Sequence, residues 1–106
     1  MNTKQHCSKE AKNYLEKLAE KKLSLGGLLL SIRQGEEMTQ IEFANELAIS
    51  KQYLCDIEHG RRFISPKAAE SFAKKLGYSP EQFVRLCLQD MMDKDNLHLI
   101  VSVRVA

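Results

Sequence analysis

No run of the roughly 18 consecutive apolar residues needed to cross a membrane occurs in the 106-residue chain, and no basic start leads into an apolar stretch near residue 1. A soluble, cytoplasmic protein is the expectation. Cysteine is sparse: Cys7, Cys55 and Cys87 are odd in number, far apart, and form no C-x-x-C pair. That excludes a disulfide framework and leaves free thiols in a reducing compartment. His6, His59 and His98 sit in separate segments without ligand spacing, so no metal is expected. Nucleophilic catalysis needs a serine or cysteine beside a base, and a phosphate site of the common kind needs a glycine-rich loop. Neither pattern is present, so neither an enzyme nor a cofactor is expected.

Net charge is scarce too, and +2 is too little to imply nucleic acid by itself. Its distribution is uneven: residues 1–22 carry six positive and three negative side chains, residues 33–50 one and four, residues 51–75 six and three. Local faces are charged although the whole is almost neutral.

An apolar fraction of 43% suffices for one helical core in one domain. Ser8 offers an N-cap, and Ala11, Leu15, Leu18 and Ala19 recur at helical spacing, predicting an amphipathic helix to about Lys22. Leu25, Leu28, Leu29 and Ile32 mark a second helix ending near Gly35, with an irregular start where Gly26 and Gly27 fall. Thr39 and Glu42 form a capping box for a helix that runs through the apolar Ile41, Ala44 and Leu47. Ser50 caps the next, which buries Leu54 and Ile57 and ends at Gly60. Only Ala48 and Ile49 separate these two, which makes a tight helix-turn-helix.

Both prolines of the chain follow a serine, Ser65-Pro66 and Ser79-Pro80, a strong helix-start signal. The first such helix turns Ala69, Phe72, Ala73 and Leu76 inward and stops at Gly77. The second supplies Phe83, Leu86, Cys87 and Met91. Residues 93–96 read as a polar hinge. Beyond them Leu97, Leu99, Val101, Val103 and Val105 alternate with His98, Ile100, Ser102 and Arg104, the period of a β-strand.

With Leu54 and Ile57 inward, Lys51, Gln52, Cys55 and Asp56 occupy the forward face of their helix. In a helix-turn-helix that face reaches base edges in the major groove of double-stranded DNA. Glutamine pairs with adenine, lysine donates to guanine, and a carboxylate accepts from the cytosine amino group, each worth roughly 1–3 kcal/mol of discrimination. Tyr53 is placed for a phosphate or a thymine methyl, and the cap Ser50 for phosphate. The same residue types also make an ordinary solvated helix face.

The pattern Gln40-x-x-Phe43-Ala44-x-x-Leu47-Ala48-Ile49-Ser50, then Leu54-x-x-Ile57-Glu58-x-Gly60-Arg61, resembles the Xre/Cro-like helix-turn-helix family, which includes phage repressors. The resemblance spans roughly residues 25–88 and implies an all-α, five-helix, lambda repressor-like core. It further implies that Gln40 supports a phosphate contact and orients a reading side chain, and that Lys51, Gln52 and Asp56 approach bases. Arg61 and Arg62 would approach phosphate, and Arg33 would pair with Glu58 as a structural ion pair. Two features depart from the pattern or work against it. Ala48 replaces the usual turn glycine, at a cost of about 1 kcal/mol if φ is positive there. Glu42 and Glu46 repel phosphate unless they point away, so affinity is expected to depend on dimerisation.

The expected organisation is an N-terminal helical extension over 1–23, the DNA-binding domain over 24–92, and a hinge with a dimerisation strand over 93–106. That strand has no partner in the sequence and cannot satisfy its own backbone groups. Pairing between two chains in a homodimer is the economical solution, with a palindromic operator as its counterpart. The competing solution adds the tail to another protein's sheet. Small proteins of this type with an extra terminal segment resemble the antitoxins of toxin–antitoxin pairs, which repress their own operon and neutralise a protein toxin.

Overall fold

The computed structural model describes residues 23–106, so the helix expected over residues 8–22 lies outside the described residues. Five helices follow one another: α1 (Leu25–Gly35), α2 (Gln40–Leu47), α3 (Lys51–Glu58), α4 (Pro66–Leu76) and α5 (Pro80–Lys94). Every one of them starts on a hydroxyl. Ser24, Thr39, Ser50, Ser65 and Ser79 each accept the N–H of the residue three positions on, which serves one of the helix's unpaired donors. At Thr39 the box is complete, because Glu42 Oε1 also accepts the Thr39 N–H at 2.9 Å.

The helix ends are equally uniform. Glu37, Ala48, Gly60, Gly77 and Asn96 all adopt positive φ. In each case that residue's N–H and the next turn back onto the last carbonyls, as Ala48 and Ile49 do onto Asn45 and Ala44. This is the Schellman closure. Only two of the five residues are glycine, so Ala48 carries the strain expected of it.

The core is built from one stripe per helix: Leu25 and Leu29, then Phe43, Ala44 and Leu47, then Leu54 and Ile57, then Ala69, Phe72 and Ala73, then Phe83, Leu86 and Cys87, with Ile64 from the α3–α4 loop. Helix α1 packs on α3 and α5, α2 on α3 and α4, and α4 most extensively on α5. Gly26 lets α1 lie directly on the end of α3, since a Cβ there would collide with the Ile57 carbonyl. The Cys87 thiol donates to the Ile64 carbonyl at 2.9 Å, and burial, with Asp90 nearby, holds its pKa above the ordinary thiol value.

Several expectations are corrected. The start of α1 is regular despite its glycines, because Ser24 caps it and the Asp90 carboxylate accepts the Leu25 N–H at 2.9 Å. Ile41 and Met91 are exposed, the stripes of α2 and α5 running through their neighbours instead. The hinge at 93–96 begins later, since α5 continues to Lys94. Finally, Leu97, Leu99, Val101, Val103 and Val105 form no strand within the described residues. An alternating pattern supplies faces, but a ladder needs a second backbone, and the described residues offer none here.

Candidate nucleic-acid interface

Helix α3 is held from behind before anything on its front is considered. Arg33 reaches from α1 to Glu58 in a two-pronged pair, Nε to Oε2 at 2.7 Å and the terminal nitrogen to Oε1 at 3.1 Å. The Glu58 side chain is 2% exposed. Gln40 adds Nε2 to Glu58 Oε1 at 2.9 Å, and Arg33 also donates to the Met38 carbonyl. One buried carboxylate thus ties α1, the α1–α2 turn and α2 to the last turn of α3. A planar guanidinium fits a carboxylate in two parallel bonds, which fixes orientation as well as distance. Lys75 of α4 steadies the turn by donating to the Leu47 carbonyl at the end of α2, at 3.1 Å.

On the front face, Lys51 and Gln52 are exposed on the first turn, and Cys55 and Asp56 stand half-buried one turn further on. Gln52 Nε2 donates to Asp56 Oδ1 at 3.0 Å. Arg61 folds back from the loop and donates to the same oxygen through Nε and a terminal nitrogen, at 3.1 and 3.0 Å, with a longer contact to the Cys55 sulfur. The Arg61 guanidinium holds the Asp56 carboxyl below its usual range, with the Gln52 bond adding to the effect. Asp56 in turn raises Arg61. The single carboxylate on the face is therefore neutralised by its neighbour.

Arg62, exposed, places its guanidinium 4.5 Å from the centre of the Tyr53 ring, a cation–π contact. The Ser50 hydroxyl accepts the Tyr53 N–H at 3.0 Å and keeps its own proton to donate. His59 Nδ1 lies 2.8 Å from the Cys55 carbonyl, closing the end of α3.

Lys51, Gln52, Cys55, Asp56 and Arg61 share one neighbourhood, with Arg62 beside them on Tyr53. Gln40 is turned to Glu58, and Arg61 lies against the forward face of α3. The Gln52–Asp56 bond was open to prediction, since the two are four apart on a helix. Arg61 meeting Asp56 across a loop had no such signal.

A model of the helix-turn-helix family matches residues 29–83, more than half of the chain. The chain belongs to the Xre/lambda repressor-like helix-turn-helix family. No curated protein and no solved structure matches the chain. The family's domain is a DNA-binding one of transcriptional regulators, and the matched span of this Xre-like protein contains α2, the turn and α3 entire. Among its described residues no helix is long and apolar enough to cross a membrane. Among those residues, too, no three His, Cys, Asp or Glu side chains stand together as a metal site.

Proposed function

We propose that this protein is a sequence-specific DNA-binding repressor that acts as a homodimer on a palindromic operator. The observation that carries the reading is the contrast between the two sides of α3: locked from behind by Arg33, Gln40 and Glu58, and presenting exposed Lys51 and Gln52 on its first turn. A reading helix whose orientation is fixed in advance loses little freedom on entering a groove.

In this reading Lys51 and Gln52 carry base preference, with Asp56 and Cys55 beside them. Arg62, Ser50 and Tyr53 hold phosphate, and Arg61 screens Asp56 from the phosphate backbone while adding its own charge. Gln40 acts from behind, by fixing Glu58. Two reading heads in a two-fold dimer require half-sites about 34–36 Å apart or a multiple of that. Occupation of such a site over a promoter blocks transcription.

Selection of binding sites from a random duplex pool, at near-physiological salt, tests this. An enriched inverted repeat is the expected result, and Gln52→Ala should relax selection at one position of each half-site. Arg62→Ala should weaken binding to all sequences alike and reduce its salt dependence. Weak, salt-sensitive binding with no enriched sequence would overturn the reading and favour a protein that acts chiefly on a protein partner, such as a toxin.

A further inference from the structure

The tail holds a feature that the helix-turn-helix does not explain. After Leu97, whose N–H bonds the Met92 carbonyl, none of residues 98–106 makes a backbone-to-backbone hydrogen bond among the described residues. The hydrogen bonds that hold the tail come from one side chain of α5. Gln89 Nε2 donates to the Leu99 carbonyl at 2.8 Å, and Gln89 Oε1 accepts the Val101 N–H at 2.8 Å. A primary amide offers one donor and one acceptor side by side, as a backbone peptide of a neighbouring strand would. It can serve both groups only if they lie on one edge, which an extended residue between them produces. Along an extended chain the main-chain groups of successive residues alternate between edges. The edge facing Gln89 is therefore that of the odd-numbered residues. The groups of His98, Ile100, Ser102 and Arg104 lie on the other edge and lack a backbone partner, and the Ile100 side chain is 94% exposed.

We infer that this open edge pairs antiparallel with the same edge of a second copy, about a two-fold axis passing through Val101. The inference rests on the dimer proposed above and assigns its edge and register. A second copy is the occupant because the segment is complementary to its own reverse. Centred on Val101, all nine residues 97–105 find a partner: Leu97 faces Val105, Leu99 faces Val103, and Val101 faces itself. Every apolar odd position meets another, and they merge into one face. Ile100 faces Ser102 and His98 faces Arg104, and the nine residues hold no acid. Shifting the centre to Ile100 sets Asp95, at the end of α5, opposite Val105.

The geometry makes a sharp prediction. Because the even residues carry the ladder bonds, Val101 faces its copy as a non-hydrogen-bonded pair, with Cα atoms about 4.5 Å apart. That lies within the span a disulfide bridges, about 4.4–6.8 Å. The full-length chain carrying Val101→Cys or Ile100→Cys is exposed to a mild thiol oxidant, with the unaltered chain setting the background from its own thiols. Sedimentation under reducing conditions reports the assembly in parallel. Val101→Cys is expected to give a covalent dimer bridged at 101 at least tenfold faster than Ile100→Cys. Both variants should keep the helical circular dichroism of the parent. Faster bridging at 100 overturns the register. A dimer that bridges at neither position overturns the pairing while leaving the dimer intact. A monomer at tens of micromolar overturns the pairing and the homodimer together.

Discussion

The proposed reading head, residues 39–62, and the tail, residues 97–106, both present polar groups at the surface, yet they treat them in opposite ways. In the head Glu58, Asp56, Gln40, Gln52 and Arg61 are already held, Glu58 by Arg33 of α1 as well. In the tail a single side chain, Gln89, serves two backbone groups. A surface that has satisfied itself is rigid, and a ligand must exchange bonds with it one for one. A surface left unsatisfied has only water to lose, so it gains by pairing with any edge that matches it. The first suits discrimination, the second assembly.

The comparison breaks most completely at Glu58. Glu58→Ala leaves Arg33 without its carboxylate in a half-buried site and frees Gln40, and should cost about 3 kcal/mol. Urea unfolding measures it; a loss within error would mean that the head is held by its apolar core alone. Ala48→Gly sharpens the contrast in the opposite direction. The positive φ of 59° no longer strains a Cβ, and stability should rise by about 1 kcal/mol with an unchanged denaturant slope.

Gln89→Ala tests the tail. It should cost on the order of 1 kcal/mol, because one bond is exposed and the other only partly buried. Hydrogen exchange at the Val101 N–H should rise to the rate of a free chain while the amides of α3 stay as they are. Continued protection at Val101 would mean that something other than Gln89 holds the tail.

The smallest effect lies at the far end of α1. Burial holds the Asp90 carboxyl above its usual range, with Asp93 adding to this and the Leu25 N–H opposing it. The folded chain therefore binds that proton more tightly than the unfolded one. The contribution of Asp90 is most favourable in acid and declines as pH rises through the raised folded value. Asp90→Asn keeps an acceptor for Leu25 without the charge. Its thermal midpoint should exceed the parent's at pH 7, with the gap closing toward pH 3. A lower midpoint at pH 7 would show that a negative charge at the start of α1 outweighs its burial.

The helices were legible because their signals are local: four of the five hydroxyl caps, two of them Ser-Pro starts and one a capping box, and apolar spacings of three and four. The Arg33–Glu58 pair was legible only through the family resemblance, since 25 residues separate its members. Contacts joining distant segments through one flexible side chain were not legible: Asp90 on Leu25, Arg61 on Asp56, Gln89 on the tail. Each depends on where helices already packed place a side chain's end. The tail shows the reverse. Its alternation was plain, but a strand is a relation between two backbones, and one chain contains half of it.

Gly26 has a mechanical consequence. It is the point where α1 rests directly on the final carbonyl of the reading helix's apolar stripe, at Ile57. A methyl group there would push that carbonyl back by roughly 1 Å, and over the ~12 Å length of an eight-residue helix this tilts the axis by about 5°. Lys51 and Gln52, on the first turn of the same helix, would turn with that axis. The aim of the reading head is thus set at its heel, by an atom that is missing.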